Sequence, residues 1–233
     1  MYFIFLILKF NMFYFLGIDI AGSKNTWVVA LKSKKDFLEL CPLLSLDFPS
    51  DPSSIEDFSP IINFCQKNKV LAVAFDAPLS FSLKDKSGFR VSDKALKELL
   101  PEKAKSWVVS YHTLMAVPIR ALLLSELLSP FCGTIIETHP RASLYFCLPE
   151  NKKVLSFTYK KNFSEEDKNF LSNWIKTKFN LIINFSVKLT EGILDAIMCA
   201  LAGYFYHKMP EKLIFLPTND NSRGFGPFVV IRF

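Results

Sequence analysis

Three short apolar runs in this chain each end in an acidic residue. Asp19 lies in FLGIDIAGS, Asp76 in LAVAFDAPLS and Glu137 in GTIIETHPRAS. A fourth acidic residue, Asp195, lies among small and apolar residues at helical spacing in EGILDAIMCALAGY. A carboxylate is costly to bury without a partner, and a divalent metal ion is a strong partner for carboxylate oxygens. The pattern therefore predicts buried strands that carry acidic residues to a shared Mg²⁺ or Mn²⁺ site.

The composition of the chain is that of one folded domain. It has 233 residues, of which 50% are hydrophobic, and its 24 Phe exclude intrinsic disorder. The net charge of +6 is compatible with a polyanionic partner but does not require one. The five Cys show neither a CxxC pair nor a disulfide framework, so we expect core thiols in a reducing, cytoplasmic compartment.

The N-terminus is strongly apolar but short. Residues 1–8, MYFIFLIL, are followed by Lys9 and Asn11, whereas a membrane-spanning helix needs roughly 20 apolar residues. The basic start and the small-residue cleavage site of a signal peptide are also missing. We therefore expect residues 1–12 to be a loose extension or a misassigned start before Met12, without stable membrane association. A weak membrane anchor is the alternative.

The remaining sequence predicts a mixed order of strands and helices in one domain, residues 13–217, followed by a tail, residues 218–233. Predicted strands are 13–20, 26–32, 37–48, 69–75, 133–138 and a short one at 212–217. Predicted helices are 51–68, 92–100, 112–129, a short one that begins at Pro140, 163–179 with Ser164 as its cap, and 190–208. Three strands, a helix, a fourth strand and a fifth strand among helices is the element order of an α/β protein.

Several motifs occur in a fixed order along the chain. They are GIDIAGSKNTWVVA, an apolar strand ending in DAPL, RVSD, MAVPIRALLL, IIETHPRAS and LDAIMCALAG. In these motifs the chain resembles the "domain of unknown function 429" family of predicted nucleases with a ribonuclease H-like fold, over residues 13–217. The resemblance implies a mixed five-stranded sheet, in the order 3-2-1-4-5, with helices on both faces. In that order the first and fourth strands are neighbours, so Asp19 and Asp76 would converge and Asp195 would close the site.

The resemblance implies a metal-dependent nuclease that hydrolyses phosphodiester bonds by a two-metal mechanism. We expect Asp19, Asp76, Glu137 and Asp195 to be catalytic, with Asp19, Asp76 and Asp195 as ligands of two ions about 4 Å apart. Structural roles compete with these assignments. Asp19 could cap the following turn, Asp76 could form a turn, and Glu137 could belong to a salt bridge. Glu191, one helical turn before Asp195, is a spare candidate.

Basic residues near the motifs are candidates for binding substrate phosphates. Arg90, in an R-x-x-D pair with Asp93, and Arg120, in an apolar helix, could bind phosphate or hold carboxylates in place. Lys24 follows the turn at Gly22 and could touch a phosphate or remain solvated. The expected partner is nucleic acid, with DNA and RNA both open. His139 is more typical of a structural residue at a strand-to-helix junction than of a proton donor.

Two alternatives remain open from the sequence. GIDIAGSKN also resembles the first phosphate loop of the sugar-kinase and actin-like superfamily, in which Asp19 would organise magnesium beside ATP. That superfamily has a duplicated second domain with further glycine-rich loops, whereas this chain has eight Gly and no Gly-Gly pair. The second alternative is a non-catalytic nucleic-acid-binding scaffold, which need not bind a metal ion.

Overall fold

The structure is a computed structural model, and it describes residues 12–22, 26–34, 37–41, 58–183 and 188–233. Strands and helices alternate along these ranges, as expected for a mixed α/β protein. The strands are β1 (Phe13–Asp19), β2 (Trp27–Ser33), β3 (Leu38–Cys41), β4 (Val70–Phe75), β5 (Ser80–Phe81), β6 (Cys132–Thr138), β7 (Leu181–Ile183), β8 (Leu213–Phe215), β9 (Arg223–Gly224) and β10 (Phe228–Ile231). The helices are α1 (Ser59–Lys67), α2 (Val91–Leu99), α3 (Ala116–Leu128), α4 (Pro140–Cys147), α5 (Leu155–Thr158), α6 (Glu165–Lys178) and α7 (Glu191–Lys208), with 3₁₀ turns at Glu102–Trp107, Glu150–Lys152 and Pro210–Lys212.

One large mixed sheet is the centre of the fold. Its eight strands, counted over the described ranges, run in the order β7-β3-β2-β1-β4-β6-β10-β8. β1 is antiparallel to β2 and parallel to β4, and β4 is parallel to β6. The predicted number of five strands is wrong, because β7 extends one edge while β10 and β8 extend the other. β8 falls within the short strand predicted at 212–217, whereas β7 and β10, with three and four residues, are too short to show a clear apolar period.

The last residues of the chain also belong to the sheet. Residues 218–233, which the sequence analysis sets apart as a tail, contain β10. All four residues of β10 are buried, and the strand lies between β6 and β8. A strand buried on both faces reads as a continuous apolar run, as FVVI does.

Helices cover both faces of the sheet, and the side chains of β1 show how the faces divide. Phe15 packs into the core cluster that contains α7, whereas Leu16 and Ile18 pack into a second cluster with α1 and α3. Because successive side chains on a strand point to opposite faces, Gly17 and Asp19 share the face of Phe15. Asp19 therefore points to the side of the sheet that α7 covers.

Gly17 allows α7 to lie directly against β1. A Cβ atom at this position would lie 1.9 Å from the carbonyl oxygen of Ala196 and 2.3 Å from the amide nitrogen of Ala200. Both atoms belong to the helix backbone, so no side chain could move aside. This close approach brings Asp195, the residue before Ala196, to the end of β1.

Some predicted features lie outside the described residues. They are the N-terminal extension up to residue 11, Lys24, and the parts of the predicted third strand and first helix that fall within residues 42–57. Within the described ranges, no helix combines the length and the apolar character needed to cross a membrane.

Candidate functional site

A cavity of about 280 Å³ opens where β1 and β4 end. Asp19 is the last residue of β1, and Asp76 directly follows the last residue of β4. Because the two strands are parallel neighbours, their C-terminal ends lie at the same edge of the sheet, and both carboxylates line the cavity. The predicted convergence of Asp19 and Asp76 is therefore present in the structure.

Asp19 and Asp76 are partly buried neighbours that line the cavity without a donor of their own. Within the described part of the chain, no side chain forms a hydrogen bond with either carboxylate. Burial, followed by the charge of Asp195, raises the pKa of Asp19 from 3.8 to about 7, although Lys160 acts in the opposite direction. Burial, followed by Asp19 and Asp195, raises the pKa of Asp76 well above its ordinary value. The three carboxylates therefore repel one another in a region of low dielectric constant.

Asp195 differs from the other two because both of its oxygens are held by the chain. The hydroxyl of Tyr159 donates to Oδ1 over 2.7 Å, and the ammonium of Lys160 forms an ion pair with Oδ2. Burial raises the pKa of Asp195, and the ion pair with Lys160 opposes that effect. Burial acts to lower the pKa of Lys160, but the charges of Asp195, Asp76 and Asp19 raise it overall. The three carboxylates therefore favour the positively charged form of Lys160.

Sequence reasoning missed Tyr159 and Lys160. They lie just after the four-residue helix α5, in FTYKKNF, where a pair of lysines is more typical of a solvated surface. The side chain of Lys160 is in fact 31% exposed, while its ammonium reaches the buried carboxylate of Asp195. The available signal was Asp195 itself, since a carboxylate in an apolar helix requires a counter-charge. The sequence does not show which lysine supplies it.

Glu137 lies in the cavity wall but is paired with Arg90. The two guanidinium nitrogens Nη1 and Nη2 donate to Glu137 over 2.7 and 2.5 Å, and the amide of Leu79 donates to it over 2.9 Å. Arg90 also donates to Asp93 over 2.6 and 3.0 Å, and the carboxylate of Asp93 accepts the backbone N–H of Arg90 at the start of α2. Burial raises the pKa of Glu137, although Arg90 opposes that effect. Two acids and one arginine thus form a closed, buried network.

The alternation of side chains explains why Glu137 does not join the aspartates. On β6, Ile136 packs on the α7 side, whereas Ile135 packs on the opposite side with Phe75. Glu137 shares the face of Ile135 and is the register partner of Phe75. At this end of β6, the residue on the α7 side of the sheet is therefore Thr138.

His139 and Arg141 line the cavity from α4. His139 is the N-cap of this helix, where its Nδ1 accepts the N–H of Ala142 over 3.4 Å, and its Nε2 lies 3.3 Å from the carbonyl oxygen of Trp107. Burial lowers the pKa of His139 to about 4, so the ring is neutral at pH 7. Arg141 stacks its guanidinium 4.2 Å from the centre of the Trp107 ring and donates to the carbonyl of Ser156. These contacts favour the structural interpretation of His139.

The other candidates lie at the margin of the site. Arg120 donates to the carbonyl of Gly22 over 3.2 Å and lies over the ring of Phe58, and it is not part of the cavity wall. Glu191, in the first turn of α7, adds to the negative charge felt by Asp19. The structure does not describe Lys24.

The acidic residues suit a divalent cation only in part. Across the described residues, no group of three or more His, Cys, Asp or Glu side chains is arranged to hold a metal ion. Asp195, the third predicted ligand, has both oxygens engaged by Tyr159 and Lys160. Asp19 and Asp76 remain, and two carboxylates are a sufficient protein ligand set for Mg²⁺, which retains waters and binds substrate phosphates. The donor chemistry therefore fits an ion held by this pair.

Comparisons with known proteins identify the family. A family model described as "Protein of unknown function (DUF429)" matches residues 17–221, most of the chain. The chain belongs to the DUF429 family. The matched range contains the aspartate cluster of this DUF429 protein together with Lys160. Comparisons with curated proteins and with solved structures gave no match.

Proposed function

We propose that this DUF429 protein is a metal-dependent nuclease that hydrolyses phosphodiester bonds of nucleic acid. The observation that carries the proposal is the pair of Asp19 and Asp76. Both carboxylates line one cavity, and no described side chain donates to them. Burial and mutual repulsion raise the pKa of each, which is the condition that a bound divalent cation relieves.

The residues around the cavity have separate roles in this proposal. Asp19 and Asp76 would hold Mg²⁺ or Mn²⁺. When bound, such an ion stabilises negative charge on a phosphate oxygen and lowers the pKa of a water molecule. Lys160 and Arg141 line the same cavity and would draw the phosphate towards the carboxylates. The Glu137–Arg90 pair keeps the opposite wall rigid, because each partner is buried and satisfied by the other.

The strand order of the sheet supports the proposal that the fold has a ribonuclease H-like core. Strands β3, β2, β1, β4 and β6 are consecutive neighbours in that order. This order is the one that the ribonuclease H-like resemblance implies for its five strands. We include in the proposal that these strands are a ribonuclease H-like core, which the other three strands extend at its edges.

The test is a cleavage assay with a panel of substrates. Purified protein is incubated with labelled single-stranded and duplex DNA and RNA, and with ATP, in Mn²⁺, Mg²⁺ or chelator. We expect cleavage of at least one nucleic acid that requires the metal ion and falls on the order of 100-fold or more in Asp76→Asn, since several kcal/mol of transition-state stabilisation is lost. The control Asp220→Asn, at an exposed position, should match the wild type.

Two outcomes would contradict the proposal. Cleavage that persists in chelator, or an Asp76→Asn variant as active as the wild type, would show that the aspartates do not hold a catalytic ion. Release of phosphate from ATP without cleavage of nucleic acid would favour the kinase or ATPase alternative.

A further inference from the structure

Lys160 places a fixed positive charge inside the carboxylate cluster. Its ammonium contacts Oδ2 of Asp195, while the hydroxyl of Tyr159 occupies Oδ1 over 2.7 Å. Asp195 is completely buried, so the hydrogen bond from Tyr159 and the ion pair with Lys160 take the place of its hydration. The cluster is thus divided into one carboxylate that the chain holds and two, Asp19 and Asp76, that face the cavity.

The charges of the cluster set the number of divalent ions it can balance. When all three carboxylates are ionised, they and the ammonium of Lys160 carry a net charge of −2. One divalent cation neutralises that charge, whereas two would leave an excess of positive charge in a buried site. Of the next charged groups, Glu191 near Asp19 and Arg141 near Asp195 have opposite signs. Glu137, which also acts on Asp76, is paired together with Asp93 to Arg90 in a separate network.

We propose that Lys160 is a built-in cation that stands where a second divalent ion would otherwise bind, so that the site takes one ion, held by Asp19 and Asp76. This inference rests on the proposed function and proposes one ion in place of the two that the sequence analysis expects. Asp195 is then a positioning residue that fixes the ammonium of Lys160 at the cavity wall. The ammonium of Lys160 would then give the substrate phosphate a positive charge that remains when the metal ion dissociates.

The first measurement is the number of Mn²⁺ ions bound per chain, by calorimetry and by electron paramagnetic resonance. We expect one ion for the wild type. In Lys160→Met the net charge becomes −3, so a second Mn²⁺ should bind and the first should bind about tenfold tighter. Lys161→Met, the neighbouring exposed lysine, is the matched control and should bind one ion like the wild type.

A double variant tests the role of Asp195 separately. Lys160→Met leaves a buried carboxylate without its counter-ion and can unfold without metal, whereas Lys160→Met with Asp195→Asn removes both charges of the pair together. The net charge stays at −2, and Asp19 and Asp76 are intact. We expect the double variant to bind one Mn²⁺ within about threefold of the wild-type affinity. Loss of binding would show that Asp195 is itself a ligand and would overturn the inference.

The ion counts distinguish the inference from the function on which it rests. Two ions bound to the wild type would overturn the role of Lys160 and leave the metal-dependent function standing. One ion in both the wild type and a folded Lys160→Met, with equal affinity, would also overturn it. A wild type that binds no Mn²⁺ would overturn both proposals. These readouts do not depend on cleavage, so an unidentified substrate does not affect them.

Discussion

The aspartate cluster should make the metal-free protein less stable as the pH rises. The pKa of Asp19 is about 7 in the folded protein, against an ordinary value of 3.8. Between these values the folded protein keeps a proton that the unfolded chain has lost, so the free energy of unfolding falls as the pH rises through the window. Asp76 acts in the same direction, because burial and Asp19 raise its pKa as well.

The magnitude follows from the width of the window. Each pH unit corresponds to about 1.4 kcal/mol, so the rise from pH 5 to pH 8 should remove about 3 kcal/mol through Asp19. His139 has the opposite effect on stability below pH 6.5. Its pKa is lowered to about 4 in the folded protein, so the folded protein keeps the ring neutral where the unfolded chain binds a proton. The clean quantity is therefore the difference between the wild type and Asp19→Asn, in which the contribution of His139 cancels.

Urea unfolding in chelator at pH 5 and pH 8 measures this difference. Between pH 5 and pH 8, the free energy of unfolding should fall by about 3 kcal/mol less in Asp19→Asn than in the wild type. The variant should also be at least as stable as the wild type at pH 8. Saturating Mn²⁺ should largely remove the pH dependence of the wild type. Asp220→Asn, at an exposed position, should keep the wild-type dependence.

The reasoning fails if Asp19→Asn has the same pH dependence as the wild type. It also fails if the variant is about 1 kcal/mol less stable at every pH, which is the result that a turn-capping role for Asp19 predicts.

Two further predictions concern the wall of the cavity and the packing of α7. Glu137→Gln should lower the free energy of unfolding by about 3 kcal/mol, because Arg90 is only 5% exposed and loses one of its two counter-ions; urea unfolding beside the exposed control Glu126→Gln measures it, and a loss equal to that of the control would contradict the buried network. Gly17→Ala should cost more than about 3 kcal/mol or prevent folding, because its Cβ would lie 1.9 Å from a backbone oxygen of α7. Gly22→Ala, whose Cβ would have no neighbour closer than 3.9 Å, is the matched control, and equal thermal stability of the two variants would refute the packing argument.

Much of the fold was predictable because its central strands are long and apolar. β1, β4 and β6 lie within one residue of the predicted bounds, and α7 begins one residue after its predicted start. The edges of the sheet were not predictable in the same way, since β7 has three residues and pairs with β3 over a long sequence separation. Pairing between distant short segments leaves no periodic signal in the sequence.

The candidate site was predictable where its residues sit on regular elements. Asp19, Asp76 and Asp195 come together because two parallel strands end side by side and α7 packs across them. Glu137 also lies near a strand end, but the alternation along β6 turns it towards Arg90, in the salt bridge that the sequence leaves open as its alternative role. Whether Glu137 contributes to catalysis stays a prediction. Lys160 lies outside any long element, so no period of the sequence relates it to Asp195.

The order of these features indicates how the site is built. Because Gly17 has no side chain, α7 can lie directly against β1. This contact brings the carboxylate of Asp195 next to those of Asp19 and Asp76. A third buried carboxylate would be unstable there without a cation, and the chain supplies one from Lys160, which the turn after α5 carries to it. Tyr159, the residue before it, fixes the other oxygen of the same carboxylate. One charge remains to be balanced on each of Asp19 and Asp76, and those are the two carboxylates that face the cavity. The chain thus neutralises the carboxylate that packing forces into the interior and leaves open the pair that lines the cavity.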